Sequence, residues 1–337
     1  MTTNITGIGT ALGSQKVTNT NLEERVNLSS KVIYDKTGIK ARYRIGSNEN
    51  IYTLMAVAAH IAMQQSDIKP EDIQGVYTSS NNLQNRQYPQ IDSIVSNLLG
   101  IHNFERGGNV TGCSGGIVQL GHIKRALETS EQEIKNYLLI NGDHTSNALS
   151  HNSTDNMIFS DAASAITLSN KQGGLYEVLD VVDETNTENM NVFSKKISTD
   201  LLHKGLDVYK FAIGRVPNIA KKQIQKLIGE NKEFYLIPHQ SNLRILKKHK
   251  NYFDNVYTDG IRKIGNTNMS SVFFGLQEAY QNNEDRLIVL NGYGEGLNVA
   301  TAALKPLERS NSTTKNPDID ALKKHYWNKY QNIMKTG

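Results

Sequence analysis

Apolar positions recur along the chain in two rhythms. The run Ile51-Tyr-Thr-Leu-Met-Ala-Val-Ala-Ala-His-Ile-Ala-Met63 is apolar on nearly every face and too long for a strand, which predicts a buried helix. Shorter apolar runs at 73–78, 137–141, 165–168, 234–237 and 287–290 have the length of strands inside a sheet. Between and around them, the spacing predicts helices over 114–128, 217–228, 242–248 and 270–280. Alternation of this kind predicts an α/β fold in which helices are layered on a sheet.

No stretch is repetitive or rich in Ser or Pro, so no long linker is expected, and the chain reads as continuously folded to about residue 305. Beyond it, 308–317 is polar and turn-rich, and Tyr326, Trp327 and Tyr330 suit a short helix in a tail that reads as an appendage to the core. A length of 337 residues suits two domains, or two halves sharing one interior. No window approaches the roughly 18 uninterrupted apolar residues of a membrane crossing. The opening Met1-Thr-Thr-Asn-Ile-Thr6 has neither the basic stretch nor the apolar run of a signal peptide, so a cytoplasmic location is expected. Lys and Arg total 37 against 33 Asp and Glu, a net charge of +4 that is too small to predict nucleic-acid binding. An acidic partner would have to meet a local patch.

There is one cysteine, Cys113, so neither an intramolecular disulfide nor a Cys-rich metal site is expected. It stands in Gly108-Asn-Val-Thr-Gly-Cys-Ser-Gly-Gly-Ile-Val-Gln-Leu120, where small residues lead into an apolar helix. A thiol in the first turn of a helix faces unpaired amides and the positive end of the helix dipole, which favour the thiolate. That setting points to a nucleophile, the other reading being a small buried hydrophobe. The same residues, Gly112-Cys-Ser-Gly-Gly116, also fit the Gly-x-Ser-x-Gly elbow of serine hydrolases, with Ser114 as nucleophile and Asp161 and His239 following in order. About a hundred residues follow His239, which suits that enzyme class poorly.

Of the nine histidines, His239 is singled out by Phe234-Tyr-Leu-Ile-Pro-His-Gln-Ser-Asn-Leu-Arg-Ile245, which puts it between a strand and a helix, where a side chain projects into a cleft. His60, His122 and His249 read as packing or surface residues. Gly265-Asn266-Thr267 resembles a helix N-cap. The stretch Leu290-Asn-Gly-Tyr-Gly-Glu-Gly-Leu297 is Gly-rich but lacks the dinucleotide-binding spacing.

In order and rough spacing, Gly-Cys-Ser-Gly-Gly, Pro-His-Gln-Ser-Asn-Leu-Arg, Gly-Asn-Thr and Gly-Tyr-Gly-Glu-Gly resemble the motifs of the ketoacyl-acyl-carrier-protein synthase III family. The early Lys36-Thr-Gly-Ile-Lys-Ala-Arg42 is similar to that family's Thr-Gly-Ile segment, and the resemblance runs from about Ile5 to Lys305. It implies a thiolase-like fold of two similar halves in a five-layered αβαβα arrangement, divided here near 1–172 and 173–337 with a polar tail from about 306, and a homodimer. It further implies that Cys113 is the acylated nucleophile, that His239 and Asn266 support condensation, and that the amides of Cys113 and Glu295 bind the developing oxyanion.

The reaction so implied is a decarboxylative Claisen condensation of an acyl thioester with a malonyl thioester. Its substrates would be acyl-CoA or acyl-carrier-protein thioesters, with no bound cofactor. Acyl carrier protein, the implied acidic partner, would meet Arg244, Lys247, Lys248 and Lys36. Val32 and Lys36 stand where the family has a tryptophan and an arginine for CoA. Ser160 and its neighbours replace a Gly-rich stretch, and Glu295 replaces a glycine. These departures imply a specialised fatty-acid or secondary-metabolic relative, with pocket walls drawn from loops such as 79–89. Three other readings stay open: acyl transfer from Cys113 to an oxygen, nitrogen or non-malonyl carbon, the Ser114 hydrolase, and an inactive partner subunit.

Overall fold

The computed structural model describes residues 2–81, 89–130, 133–188, 193–195, 201–203, 205–294, 297–308 and 317–336. Its strands are β1 (Asn4–Leu12), β2 (Gln15–Thr18), β3 (Ala41–Arg44), β4 (Gly75–Ser79), β5 (Glu105–Val110), β6 (Asn136–Asp143), β7 (Ala162–Ser169), β8 (Tyr176–Thr185), β9 (Phe193–Lys195), β10 (Leu201–His203), β11 (Phe234–Pro238), β12 (Leu287–Gly294) and β13 (Asn298–Pro306). The helices are α1 (Glu23–Val26), α2 (Ser30–Thr37), α3 (Ile51–Ser66), α4 (Ile91–Leu99), α5 (Gly115–Glu128), α6 (Gly205–Lys210), α7 (Val216–Ile228), α8 (Leu243–His249), α9 (Gly260–Ile264), α10 (Ser271–Gln281) and α11 (Ile319–Thr336).

Nine strands form one continuous sheet in the order β11-β12-β13-β8-β1-β7-β6-β4-β5. The pairing repeats. β1 runs antiparallel to β7, β7 antiparallel to β6, and β6 parallel to β4. In the same way β8 runs antiparallel to β13, β13 antiparallel to β12, and β12 parallel to β11. The two units join where β1 meets β8, at Asn4↔Glu177 and Ile5↔Tyr176.

Helices α5 and α10 each touch strands of both units and form the middle layer. Helices α3 and α4 cover the outer face of the first unit and α7 that of the second, giving five layers. Ile117, Leu120 and Ile123 of α5 and Val272, Phe273 and Leu276 of α10 are buried against Ile166, Ile237 and Leu290 from the sheet. Each such side chain contributes about 1.5–3 kcal/mol relative to exposure. This packing fixes where the N-termini of α5 and α10 lie, and Cys113 and Asn266 stand in the segments that lead into them.

The C-terminal segment differs from the sequence expectation. It is an 18-residue helix packed on α3 and α4, not an appendage. Tyr326 is only 3% exposed, and its hydroxyl meets His60 Nδ1 at 2.9 Å. Lys323 reaches the Leu12 carbonyl at 2.6 Å and Glu49 at 3.3 Å. The polar composition of this helix belongs to its solvent face, while its aromatic side chains complete the core around α3.

Candidate active site

Cys113 follows β5 through a tight turn. Gly112 holds φ at +86°, a conformation that costs glycine little and other residues much. Its amide donates to Asn81 Oδ1 at 2.7 Å, and both the main-chain N–H and the Nδ2 of Asn81 donate to Asp143, at 2.7 and 2.9 Å. The Asp143 carboxyl is fully buried, and that burial, partly opposed by the Asn81 hydrogen bonds, raises its pKa to about 7. Cys113 is half-buried directly before Ser114, the N-cap of α5, so it precedes the helix and does not stand in its first turn as the sequence reading expected.

On the opposite side, the end of β12 passes so close that a Cβ on Gly294 would lie 2.6 Å from the Cys113 amide nitrogen and 3.2 Å from its Cβ. Glu295, the expected second oxyanion donor, lies outside the described residues, as do residues 82–88 of the loop expected to shape the pocket.

His239 follows β11, and its amide donates to the Asn291 carbonyl at 2.7 Å. The side chain is 2% exposed, with Nδ1 2.8 Å from Ser271 Oγ at the start of α10. Ser271 Oγ also accepts the Gln240 amide at 3.2 Å. Burial depresses the imidazole pKa to about 3, with the main-chain carbonyl of Asn268 acting in the opposite direction, so the ring is neutral at physiological pH. Tyr293 stands edge-on to it with ring centroids 5.3 Å apart. The Tyr293 phenol is pushed up by burial and lies near enough to Cys113 to feel its charge.

Asn266 is in the same neighbourhood, 4% exposed, held by main-chain hydrogen bonds to Ile158 and Ser160. Its Oδ1 accepts the Asn268 amide at 2.9 Å, and its Nδ2 makes no hydrogen bond among the described residues. A neighbouring side chain reaches the sulfur: Asn268 Oδ1 lies 3.7 Å from Cys113 Sγ. Asn268 adopts φ +50° and donates through Nδ2 to Thr145 Oγ1.

The expected N-cap at Gly265-Asn266-Thr267 is therefore a longer lead-in: a 3-10 turn, Asn268–Ser270, precedes α10. Sequence reasoning missed Asn268, Thr145, Ser271 and Tyr293. The available signal was a second asparagine two residues after the first, since asparagine is among the few side chains tolerated in the left-handed region.

The serine-hydrolase relay is not formed. Asp161 accepts from the Ile45 amide and from the Ser146 amide and hydroxyl, and it faces His144, whereas His239 Nδ1 meets Ser271. The basic residues do gather. Lys36 in α2 and Arg244, Lys247 and Lys248 in α8 are exposed on two packed helices, joined where Asn242 Nδ2 donates to the Lys36 carbonyl at 3.3 Å. Val32 on α2 is also exposed, at 37%. Among the described residues there is no cluster of His, Cys, Asp or Glu fit to hold a metal ion, and no helix is long and apolar enough to cross a membrane.

Comparison with known proteins finds relatives over most of the chain. Residues 110–187 match the family model for 3-oxoacyl-[acyl-carrier-protein] synthase III. A beta-ketoacyl-[acyl-carrier-protein] synthase III of Campylobacter jejuni is 28% identical over 308 residues, covering 86% of this chain and 93% of the relative. The crystal structure of 3-oxoacyl-[acyl-carrier-protein] synthase III from Aquifex aeolicus superposes with a TM-score of 0.82 at 23% identity, covering 90% of this chain and 99% of that one. A priming beta-ketosynthase of a polyketide biosynthetic pathway superposes with a TM-score of 0.81 at 19% identity, covering 90% and 96%. Over most of its length the chain is thus similar to beta-ketoacyl-[acyl-carrier-protein] synthase III proteins, and it shares their thiolase-like fold.

Proposed function

We propose that this protein is a condensing enzyme that joins an acyl group carried on Cys113 to a malonyl-derived carbon, releasing carbon dioxide and a β-ketoacyl thioester. The observation that carries the reading is the convergence of Cys113, at the start of α5, with His239 and the lead-in to α10, whose Asn268 and Ser271 touch the sulfur and the imidazole respectively.

In the first half-reaction, the Cys113 sulfur attacks the acyl thioester carbonyl, and its proton leaves with the departing thiol. The amides of Cys113 and Glu295 receive the oxyanion in this reading. In the second, the malonyl carboxylate departs as carbon dioxide and negative charge develops on the thioester oxygen. His239 and Asn266 are the donors for that charge: His239 as a neutral imidazole, Asn266 through Nδ2.

The low basicity of His239 also favours condensation over acyl transfer to an alcohol or amine. Such a transfer asks a base to take a proton from the acceptor, which an imidazole with a pKa near 3 does poorly at neutral pH. Decarboxylation creates the carbon nucleophile without removing a proton.

Lys36, Arg244, Lys247 and Lys248 form the docking face for acyl carrier protein, whose acidity would speed encounter in a salt-dependent way. CoA is the less suited donor, because Val32 presents no aromatic plane and a lysine offers a point charge without the flat fork of arginine. The homodimer belongs to the same proposal. β5 and β11 end the sheet, and among the described residues the outer edge of β5 has no strand partner; such edges invite a second copy. Malonyl-carrier protein labelled in its free carboxyl, supplied with an acyl donor, tests the reading: labelled carbon dioxide is expected, and acyl transfer without its release would reject condensation.

A further inference from the structure

Asn268 sits where none of the sequence motifs placed a functional group, yet its carboxamide reaches the Cys113 sulfur. It is 4% exposed, and both ends of its carboxamide are used. Oδ1 faces Cys113 Sγ at 3.7 Å while Nδ2 donates to Thr145 Oγ1. Its backbone is held in the left-handed region at φ +50°, with the amide tied to Asn266 Oδ1. In this arrangement the sulfur is a thiol that donates its hydrogen to Oδ1, because a thiolate would face a carbonyl oxygen.

Thr145 makes the arrangement reversible. A hydroxyl both donates and accepts, so a half-turn of the Asn268 carboxamide leaves Thr145 satisfied: it then donates to Oδ1 in place of accepting from Nδ2. The same half-turn brings Nδ2 to the sulfur, where it donates to a thiolate.

We propose that Asn268 is a catalytic residue that matches its amide to the protonation state of Cys113, accepting from the thiol at rest and donating to the thiolate as the proton leaves, with Thr145 as the positioning residue that permits both orientations. The donating orientation is favoured once charge develops, because a hydrogen bond to an anionic sulfur is the stronger of the two. In the acylation step this serves, the acyl C–S bond of the donor breaks, the acyl bond to Cys113 Sγ forms, and the thiol proton ends on the departing sulfur.

Among the described residues, the Tyr293 phenol at the end of β12 lies near enough to the sulfur to feel its charge, and His239 after β11 stands edge-on to that ring. Asp143 lies behind Asn81 and Gly112, and His144 stands beside Thr145, paired with Asp161. Substitutions at Asn268 and Thr145 leave all of them in place.

The proposal rests on Cys113 being the nucleophile, but its test uses no substrate and so is separable from the condensing reaction. Iodoacetamide alkylation followed by intact mass reads Cys113 alone, because it is the only cysteine. Rates are taken from pH 6 to 10 on the full chain, with melting temperature as the check on folding. Asn268→Asp fixes an anionic acceptor at the sulfur and is expected to move the midpoint of the alkylation profile upward by about 1 unit or more. Asn268→Gly accepts the left-handed backbone without strain and removes the amide; its midpoint is expected to rise by a smaller amount. Thr145→Val is expected to shift the midpoint in the same direction, and Thr145→Ser to restore it. Wild-type midpoints in both folded Asn268 variants would overturn the role of Asn268. A wild-type midpoint in Thr145→Val would overturn the half-turn.

Discussion

The close approach of β12 to Cys113 can be disturbed by a single methyl group. In Gly294→Ala the added Cβ would fall 2.6 Å from the Cys113 amide nitrogen, where an ordinary contact is 3.4 Å or more. The atoms involved are backbone, so no flexible side chain can swing aside. Either the Cys113 turn or the end of β12 must retreat by roughly 0.8 Å, a displacement of the overpacking kind that costs about 1–3 kcal/mol. The functional effect should be larger than the loss of stability suggests, because a misplacement of about 1 Å at a reacting group can lower a rate by as much as 10²-fold. Gly214→Ala is the control, since a Cβ there meets nothing within 4 Å and its φ is not positive. Acylation of Cys113 by an acyl thioester, followed by intact mass, should slow by about 10- to 100-fold in Gly294→Ala and stay at the wild-type rate in Gly214→Ala. An unchanged rate and melting temperature in Gly294→Ala would mean that β12 does not press on Cys113 as described.

Other perturbations reach different parts of the structure. The native pKa of His239 is about 3, below the ordinary value of 6.5, so the unfolded chain binds more protons between those limits and folding stability should fall as pH drops through that window. The slope from this group approaches 1.4 kcal/mol per pH unit, and denaturant titrations should show a shallower acid loss in His239→Asn. Tyr326→Ala removes a buried ring and its bond to His60, and should cost about 3–5 kcal/mol in equilibrium unfolding if α11 belongs to the core; a loss below 1 kcal/mol would return the tail to an appendage. Arg244→Glu should weaken binding of acyl carrier protein and flatten its salt dependence, read by titration at two ionic strengths, while acylation of Cys113 by a small thioester stays unchanged.

Much of this architecture could be read from the sequence because its middle layer is strongly patterned. The apolar faces of α5 and α10 and the runs at β6, β11 and β12 have lengths and compositions that admit few readings. Strands buried on both faces were harder to see. β7, in which every residue is buried, showed only as the short apolar run 165–168, and β13, buried in all but its last two residues, lacks the alternation that marks a half-exposed strand. β1 was obscured by Gly7 and Gly9, where the backbone of α3 lies directly against the strand. In β8 the acidic residues at its far end hid the pattern.

At the site, Cys113 and His239 stood out by chemical type and by position at element ends. The roles of Asn268, Thr145 and Ser271 could not be inferred in the same way, because they depend on a left-handed turn and on contacts between segments more than 120 residues apart in the case of Asn268 and Thr145. Arg42 shows the same limit. Its guanidinium is fully buried and bonded to the Met157 carbonyl and Asn19 Oδ1, with burial lowering its pKa to about 10, a structural brace that the motif around it did not distinguish from a binding residue.

The most direct test of the account follows the mass of the intact protein through one turnover. Incubation with an acyl thioester should add one acyl group, lost in Cys113→Ala. Malonyl-carrier protein should then remove that group and yield a carrier-bound β-ketoacyl product two carbons longer than the starter. An adduct that persists in Cys113→Ala, or one discharged by malonyl-carrier protein without chain extension, would contradict carbon–carbon bond formation at this sulfur.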